Sequence, residues 1–307
     1  QEFGAEIPYL LTEAVETAGE RRRAAEIEIE KAGGDTPYPS WDTLRAEDRE
    51  DAPAVVLIVR DAEGNLVRQV AGKTSAGLHR TAWDLRWPPT SPVNLASSGF
   101  RAPWVSDPQG PLVAPGRYTV TMAIRENGKL RELTKAKAFN VKSMPQGNDT
   151  SNNLPEVVAF QRKAGELHRA VSGTSALVGE MGQRIEHLKV AIPRTPTASS
   201  SLSEQLRAIE TRLDEAVVLL SGDSSVSSRN EPIPWSVSRR ASAVYGLLLN
   251  TRSDVPVMYE DSYQIAAEEF GGVLALIKAI NTDLSALENT LEGLGAPHTP
   301  GRLPEWP

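Results

Sequence analysis

Cysteine is absent from the 307 residues. That excludes disulfides, thiolate metal sites and a cysteine nucleophile, and it fits an exported bacterial protein. Histidine is scarce: His79, His168, His187 and His298 are the four in the chain. No two are spaced i,i+4, so the HExxH arrangement of zinc proteases is missing. No run approaches the roughly 18 consecutive apolar residues of a membrane span, and no transmembrane segment is expected. The opening, QEFGAEIPYLL, lacks the basic start and apolar run of a signal peptide. A basic surface is lacking too. The net charge is −7, and the one basic run, Arg21-Arg22-Arg23, is flanked by acidic residues, so no nucleic-acid partner is expected. There is no G-x-S-x-G elbow, no phosphate-binding glycine loop and no calcium loop. No metal or cofactor site is expected. DAEGN at 61–65 faintly resembles a calcium loop but lacks the later acidic ligands, and a hairpin turn explains it better.

What is present divides by hydrophobic period. Residues 7–12 read as a short strand and 13–32 as a charged, largely solvated helix. After the turn GGDTPYPS, Ser40 is placed to cap a short helix through DTLRAEDRE. AVVLIVRD and LVRQV then form a hairpin. A further run spans 77–87. PGRYTVTMAIRENGKLRELTKAKAFNV makes a second hairpin turning at Glu126-Asn127-Gly128, with Tyr118, Val120 and Met122 on one face. The Pro-rich stretch 88–115 between them is too long for an idle connection; it packs as an ordered loop or contains short strands. Five or more strands with turn signals predict a β-sandwich.

From about residue 145 the period becomes helical, with QGNDTSNN as linker. Phe160, Ala164, Leu167, Val171, Thr174, Val178, Met181, Ile185, Leu188 and Ile192 make one seam, which Pro193 stops. Ser201-Leu-Ser-Glu204 has the form of a capping box. It opens a seam of Leu202, Leu206, Ile209, Leu213, Ala216 and Leu220. Val237, Ala241, Val244 and Leu248 form a third. Val273, Ile277, Ile280, Leu284, Leu287, Leu291 and Leu294 form a fourth. Four narrow seams joined by loops predict an antiparallel four-helix bundle, with an intermolecular coiled coil as the competing arrangement. The expected organisation is therefore α+β and multidomain. Residues 1–52 supply a strand and charged helices, 53–145 the sandwich, 146–295 the bundle, and 296–307 an extended Pro-rich tail that Trp306 would dock.

No catalytic constellation emerges. Glu47 with Asp48, and Glu268 with Glu269, are the candidate carboxylate pairs for glycoside chemistry, but both lie on charged helical segments that read as solvated faces. His168, beside the first seam, reads as a satisfied boundary histidine. Gly271-Gly272, inside a helix, reads as permitting close helix approach. Trp41, Trp87 and Trp104 fall in turn-rich regions. They are the candidate binding surface, because aromatics stack on sugars and anchor interfaces; burial under the 88–115 loop is the alternative.

The stretch AGLHRTAWDLRWP, residues 76–88, gathers His79, Asp84, two arginines and two tryptophans. At period two it resolves. His79, Thr81, Trp83, Leu85 and Trp87 share the core face, with Trp83 and Tyr118 as structural core. Arg80, Asp84 and Arg86 lie opposite, where Asp84 is placed to pair with an arginine.

AGLHRTAWDLRWP, APGRYTVTM and AFNV in this order resemble Ig-like modules of the flagellar hook-capping type. With the flanks FGAEIPYLL and TPYPSWDTLRAEDREDAPAVVLIVRDAEGNLVRQVAG and the helical tail, the whole chain resembles one particular region. It is the C-terminal region of large exported bacterial proteins with BNR/sortilin-like β-propeller repeats, often labelled glycosyl-hydrolase-like. The most specific pieces are residues 77–88 and 111–122. The propeller that precedes this region in the family is not in this sequence, which is either a fragment or a stand-alone version that keeps the scaffold, so the hydrolase label does not carry over and no catalytic residue transfers. The resemblance and the missing motifs together imply a non-catalytic, extracytoplasmic structural or protein-binding subunit. One form is a periplasmic accessory subunit bracing a membrane-bound respiratory, photosynthetic or secretion complex, with other protein subunits as partners. The alternative is an accessory, carbohydrate- or protein-binding C-terminal domain of a secreted propeller-type hydrolase.

Overall fold

A computed structural model of the chain describes residues 4–95, 107–143 and 154–306. The fold is mixed α+β, with two β-sheets followed by a helical part. The described residues separate into two compact units. One holds 4–88 and 112–143; the other holds 89–95, 107–111 and 154–306. The described parts of the Pro-rich 88–115 stretch therefore divide, most of them grouping with the helices.

In the β unit, β1 (Ala5–Leu11) pairs antiparallel with β4 (Gly77–Trp83) as a two-stranded sheet. The second sheet centres on β2 (Ala54–Arg60), which lies between β3 (Leu66–Gly72) and β5 (Gly116–Glu126). The long β5 serves two further partners: β7 (Lys137–Val141) along its start and β6 (Lys129–Glu132) along its end. The hairpin turns at Asn127-Gly128, both with positive φ, as the Asn-Gly signal predicts. β2 is buried on both faces, which is why its sequence is a continuous apolar run and not an alternation. Ile7, Tyr9 and Leu11 of β1 meet Val55, Leu57 and Val59 of β2 in one core with Val67, Trp83 and Tyr118.

Trp83 anchors that core at 1 % exposure, its ring edge-on to Tyr118 (5.6 Å) and Phe139 (6.1 Å). The alternation predicted through residue 87 ends at Trp83. Leu85 takes a left-handed φ of 58°, and the chain turns. Asp84 does its work in that turn: its carboxylate accepts the Arg86 backbone N–H at 3.1 Å, a local turn bond in place of the expected arginine pair. Close approach at the sheet edge needs a glycine: a Cβ on Gly72 would lie 2.6 Å from the Tyr9 hydroxyl, which accepts the Lys73 N–H.

Two helices accompany the sheets. Thr17 opens α1 (Ala18–Lys31) through a capping box with Glu20, and Ser40 caps α2 (Trp41–Asp48) as its sequence predicts. Glu47 is tied to Arg22 by two hydrogen bonds (2.7 and 2.8 Å), which hold its carboxyl below the usual carboxylate range. Glu47 of the candidate Glu47–Asp48 pair thus fastens α2 to α1.

The helical unit begins with α3 (Leu154–Ala191), followed by α4 (Ser200–Ser221) and the one-turn α5 (Ser224–Ser227). It continues with α6 (Val237–Leu248) and α7 (Val257–Gly293). Ser199, not Ser201, is the N-cap of α4. Its side chain bonds the Ser201 hydroxyl, so the capping box expected at 201–204 does not form. The four predicted seams are the buried ones, but they build three columns, not the four-helix bundle expected. α3 and α7 run in the same direction: Phe160 meets Tyr263 near their starts and Arg184 meets Glu288 near their ends. α4 runs back beside their C-terminal halves, through Lys189–Glu210 and Arg212–Asp283. α6 runs back beside their N-terminal halves, where Tyr245 stacks on His168 and the Leu248 carbonyl accepts from Gln161. Helical rise explains the arrangement: α4 and α6, at ~33 and ~18 Å, together nearly match the ~57 Å of α3. Among the described residues, α7 is the one helix long and apolar enough to cross a membrane. Its stripe of Phe270, Val273, Ile277, Ile280 and Leu284 lies in the core shared with α3 and α4.

The tail does not dock through Trp306, which is 94 % exposed. Arg302 does the docking: its buried guanidinium holds Glu292 and the Ala296 carbonyl.

Candidate functional site

The residues that suggested chemistry are dispersed. His79 lies half-buried against the Tyr9 ring, with Nε2 2.6 Å from the Ser75 carbonyl oxygen. Asp61 spends its carboxylate closing the 61–65 turn, accepting the Asn65 backbone N–H at 2.7 Å and its side-chain amide at 3.0 Å. Among the described residues no three of His, Asp or Glu gather as a metal would require. Glu268 accepts from Gln264, while Glu269 of the same pair is exposed.

His168 is half-buried, stacked on Tyr245 at 4.5 Å, with Nδ1 2.8 Å from the Thr90 hydroxyl. It is the satisfied boundary histidine its position predicts. Burial pushes its pKa below the usual histidine range. The sign of the linkage follows: the unfolded chain takes the proton more readily, so folding disfavours protonation. Stability of the helical unit is expected to be full above the unfolded histidine pKa and to fall as pH drops through the range below it. His168→Gln should flatten that acid limb in urea titrations at stepped pH followed by amide exchange in α3, and an NMR titration of the His168 ring should give the lowered midpoint directly.

The three candidate tryptophans separate. Trp41 is 65 % exposed at the start of α2, edge-on to the also exposed Tyr38 at 6.1 Å. Trp87 is half-buried on the edge of the β core, where with Leu66, Arg68 and Pro88 it borders a hollow of about 370 Å³. Trp104 lies outside the described residues.

A larger hollow lies elsewhere, at the break in the middle column. Between α4 and α6, residues 222–236 cross from one helix to the next. Asp223 caps α5 by accepting the Ser225 and Val226 N–H groups, Pro232 and Pro234 stiffen the exit, and Ser236 caps α6. This loop stands off α7 and leaves an open groove of about 650 Å³. Its walls are Val218, Leu219, Val226, Ile233 and Trp235, and Gly272 and Val273 of α7 form the floor. Asp223 and Glu269 stand at its rim. The Arg239 guanidinium lies 4.7 Å over the Trp235 ring, which remains 44 % exposed. Gly272 does not serve close helix packing, nor does Gly271: a Cβ at either position would meet nothing within 4 Å.

Sequence reasoning passed over this groove because its walls come from three separated segments. The clue was there in EPIPW next to a helix start, together with a Gly-Gly pair on the solvent side of α7. The β unit and the helical unit define the chain as an α+β protein of sheets and helices. No family model, curated protein or solved structure matches it.

Proposed function

We propose that the chain is a non-catalytic, extracytoplasmic protein-binding subunit that braces a larger membrane-associated assembly. The observation that carries this reading is the open apolar groove between α4, the 222–236 loop and α7, with Leu219 and Trp235 exposed beside it. An apolar hollow rimmed by polar groups and holding a half-exposed tryptophan has the make-up of an interface core. The cysteine-free composition fits an exported location. The Ig-like identity of the β unit draws support from Tyr118, whose hydroxyl donates to the Ala114 carbonyl four residues upstream at 2.7 Å, in the manner of a tyrosine corner.

The test is native electrophoresis of the tagged chain after mild detergent extraction of source-cell membranes. The wild-type chain is expected in a particle larger than the monomer, and Leu219→Asp in the monomer fraction. Recovery of the wild-type chain as a free monomer in every extract would overturn the reading.

The exposed Tyr38–Trp41 pair favours a second reading, a carbohydrate-binding accessory domain. It requires polysaccharide binding that Trp41→Ala abolishes, and a glycan array without a hit removes it.

A further inference from the structure

We infer that the groove at the α4–α6 break takes a short peptide segment that presents a bulky apolar side chain next to a lysine or arginine. The inference rests on the protein-binding reading above and names the chemistry of the partner.

Three features of the groove select this class. Its volume of about 650 Å³ falls within the roughly 300–1,000 Å³ of ligand pockets, room for two or three side chains and not for a whole helix. Its inner surface is aliphatic and aromatic, from Val218, Leu219, Ile233, Trp235 and Val273, so the inserted group is apolar. The two charged residues that line it, Asp223 and Glu269, are both acidic. Asp223 is partly committed to capping α5, whereas the Glu269 side chain is exposed at the rim. A cation beside the apolar group is the complement of that rim. The Trp235 ring already carries the Arg239 guanidinium, so the ligand cation belongs at the Glu269 side of the groove and the apolar group at the Trp235 side.

The site is built in advance. The Asp223 and Ser236 caps and the two prolines fix the 222–236 loop in a conformation whose ordering cost falls on folding and not on binding. Gly272 keeps the floor low. A leucine there has open space above the backbone and would project into the volume a ligand needs.

The test uses the full chain and two fluorescein-labelled peptides, acetyl-Lys-Leu-Trp-Arg-amide and acetyl-Glu-Leu-Trp-Glu-amide, followed by anisotropy. The basic peptide is expected to saturate, and the acidic one to bind about tenfold more weakly or less. Glu269→Gln should weaken the basic peptide about threefold, as for a rim ion pair, and leave the acidic one no weaker. Gly272→Leu should abolish binding of both while the melting temperature holds or rises, because leucine is the better helix former. The proposal is overturned by equal affinity for the two peptides, by no saturation with either, or by Gly272→Leu binding like wild type. These outcomes separate from the assembly test. If the peptides fail while Leu219→Asp still releases the subunit, the partner class falls and the protein-binding role stands. If the basic peptide binds but no assembly forms, the membrane-complex role falls.

Discussion

Trp83→Ala is expected to destabilise the β unit by about 3–5 kcal/mol, the range for truncating a large buried aromatic. Among the described residues, Trp83 is the largest fully buried side chain. Its ring fills the space between the two sheets and meets Tyr118 and Phe139 edge-on. Its indole N–H donates to the Arg86 carbonyl at 3.1 Å, which helps hold the turn that ends β4. Alanine therefore leaves a cavity and removes a turn contact together. Trp83→Phe keeps most of the volume and should cost clearly less. Because the chain has two compact units, one global melt would mix them. Amide exchange at Val55 and Leu57 in β2 reads the β unit alone, and exchange at Leu284 in α7 gives an internal control. A loss under about 1 kcal/mol at the β2 amides would contradict the core assignment.

Arg184→Ala is expected to destabilise the helical unit by about 3–5 kcal/mol, because it strands a buried carboxylate. Glu288 of α7 is 3 % exposed, and Arg184 of α3 is its charged partner. The guanidinium also donates to Asn281 at 2.8 Å and to Ser285 at 3.2 Å, so one side chain joins α3 to three positions on α7. The two halves of the pair should not be equivalent. With Glu288 removed, Arg184 can still reach water along its stem, so Glu288→Ala should cost less than Arg184→Ala. The double replacement Arg184→Met with Glu288→Leu keeps the volume and removes both charges, and it should recover most of the loss. Chemical denaturation of the four proteins, followed by exchange at α7 amides, checks the order. Equal costs for the two single changes would mean that Glu288 is not the desolvated partner.

The legible parts of the molecule are those governed by neighbours along the chain. The period-two run through His79, Thr81 and Trp83 placed a strand and its buried face, and the Asn127-Gly128 turn placed a hairpin. Ser40 marked a helix start because a cap depends on residues three apart. The seams of α4 and α6 were readable residue by residue, since each helix has one face to bury. The Ser201 capping box failed for the same local reason: two serines upstream offered an earlier start, and the helix took it.

Amino-acid order by itself determined which segments are strands and helices, which side chain each turns inward, and which motif-borne chemistries the chain lacks. The tertiary structure decided the rest. Four seams carry no information on whether α4 and α6 lie side by side or end to end, because that depends on how two short helices match the length of two long ones. The break between them became a groove only where the 222–236 loop was held off α7. The tail found its anchor in buried Arg302, while Trp306 stayed in water. Contacts between residues far apart in sequence have no period to reveal them, and they place both the groove and the charged links between the columns.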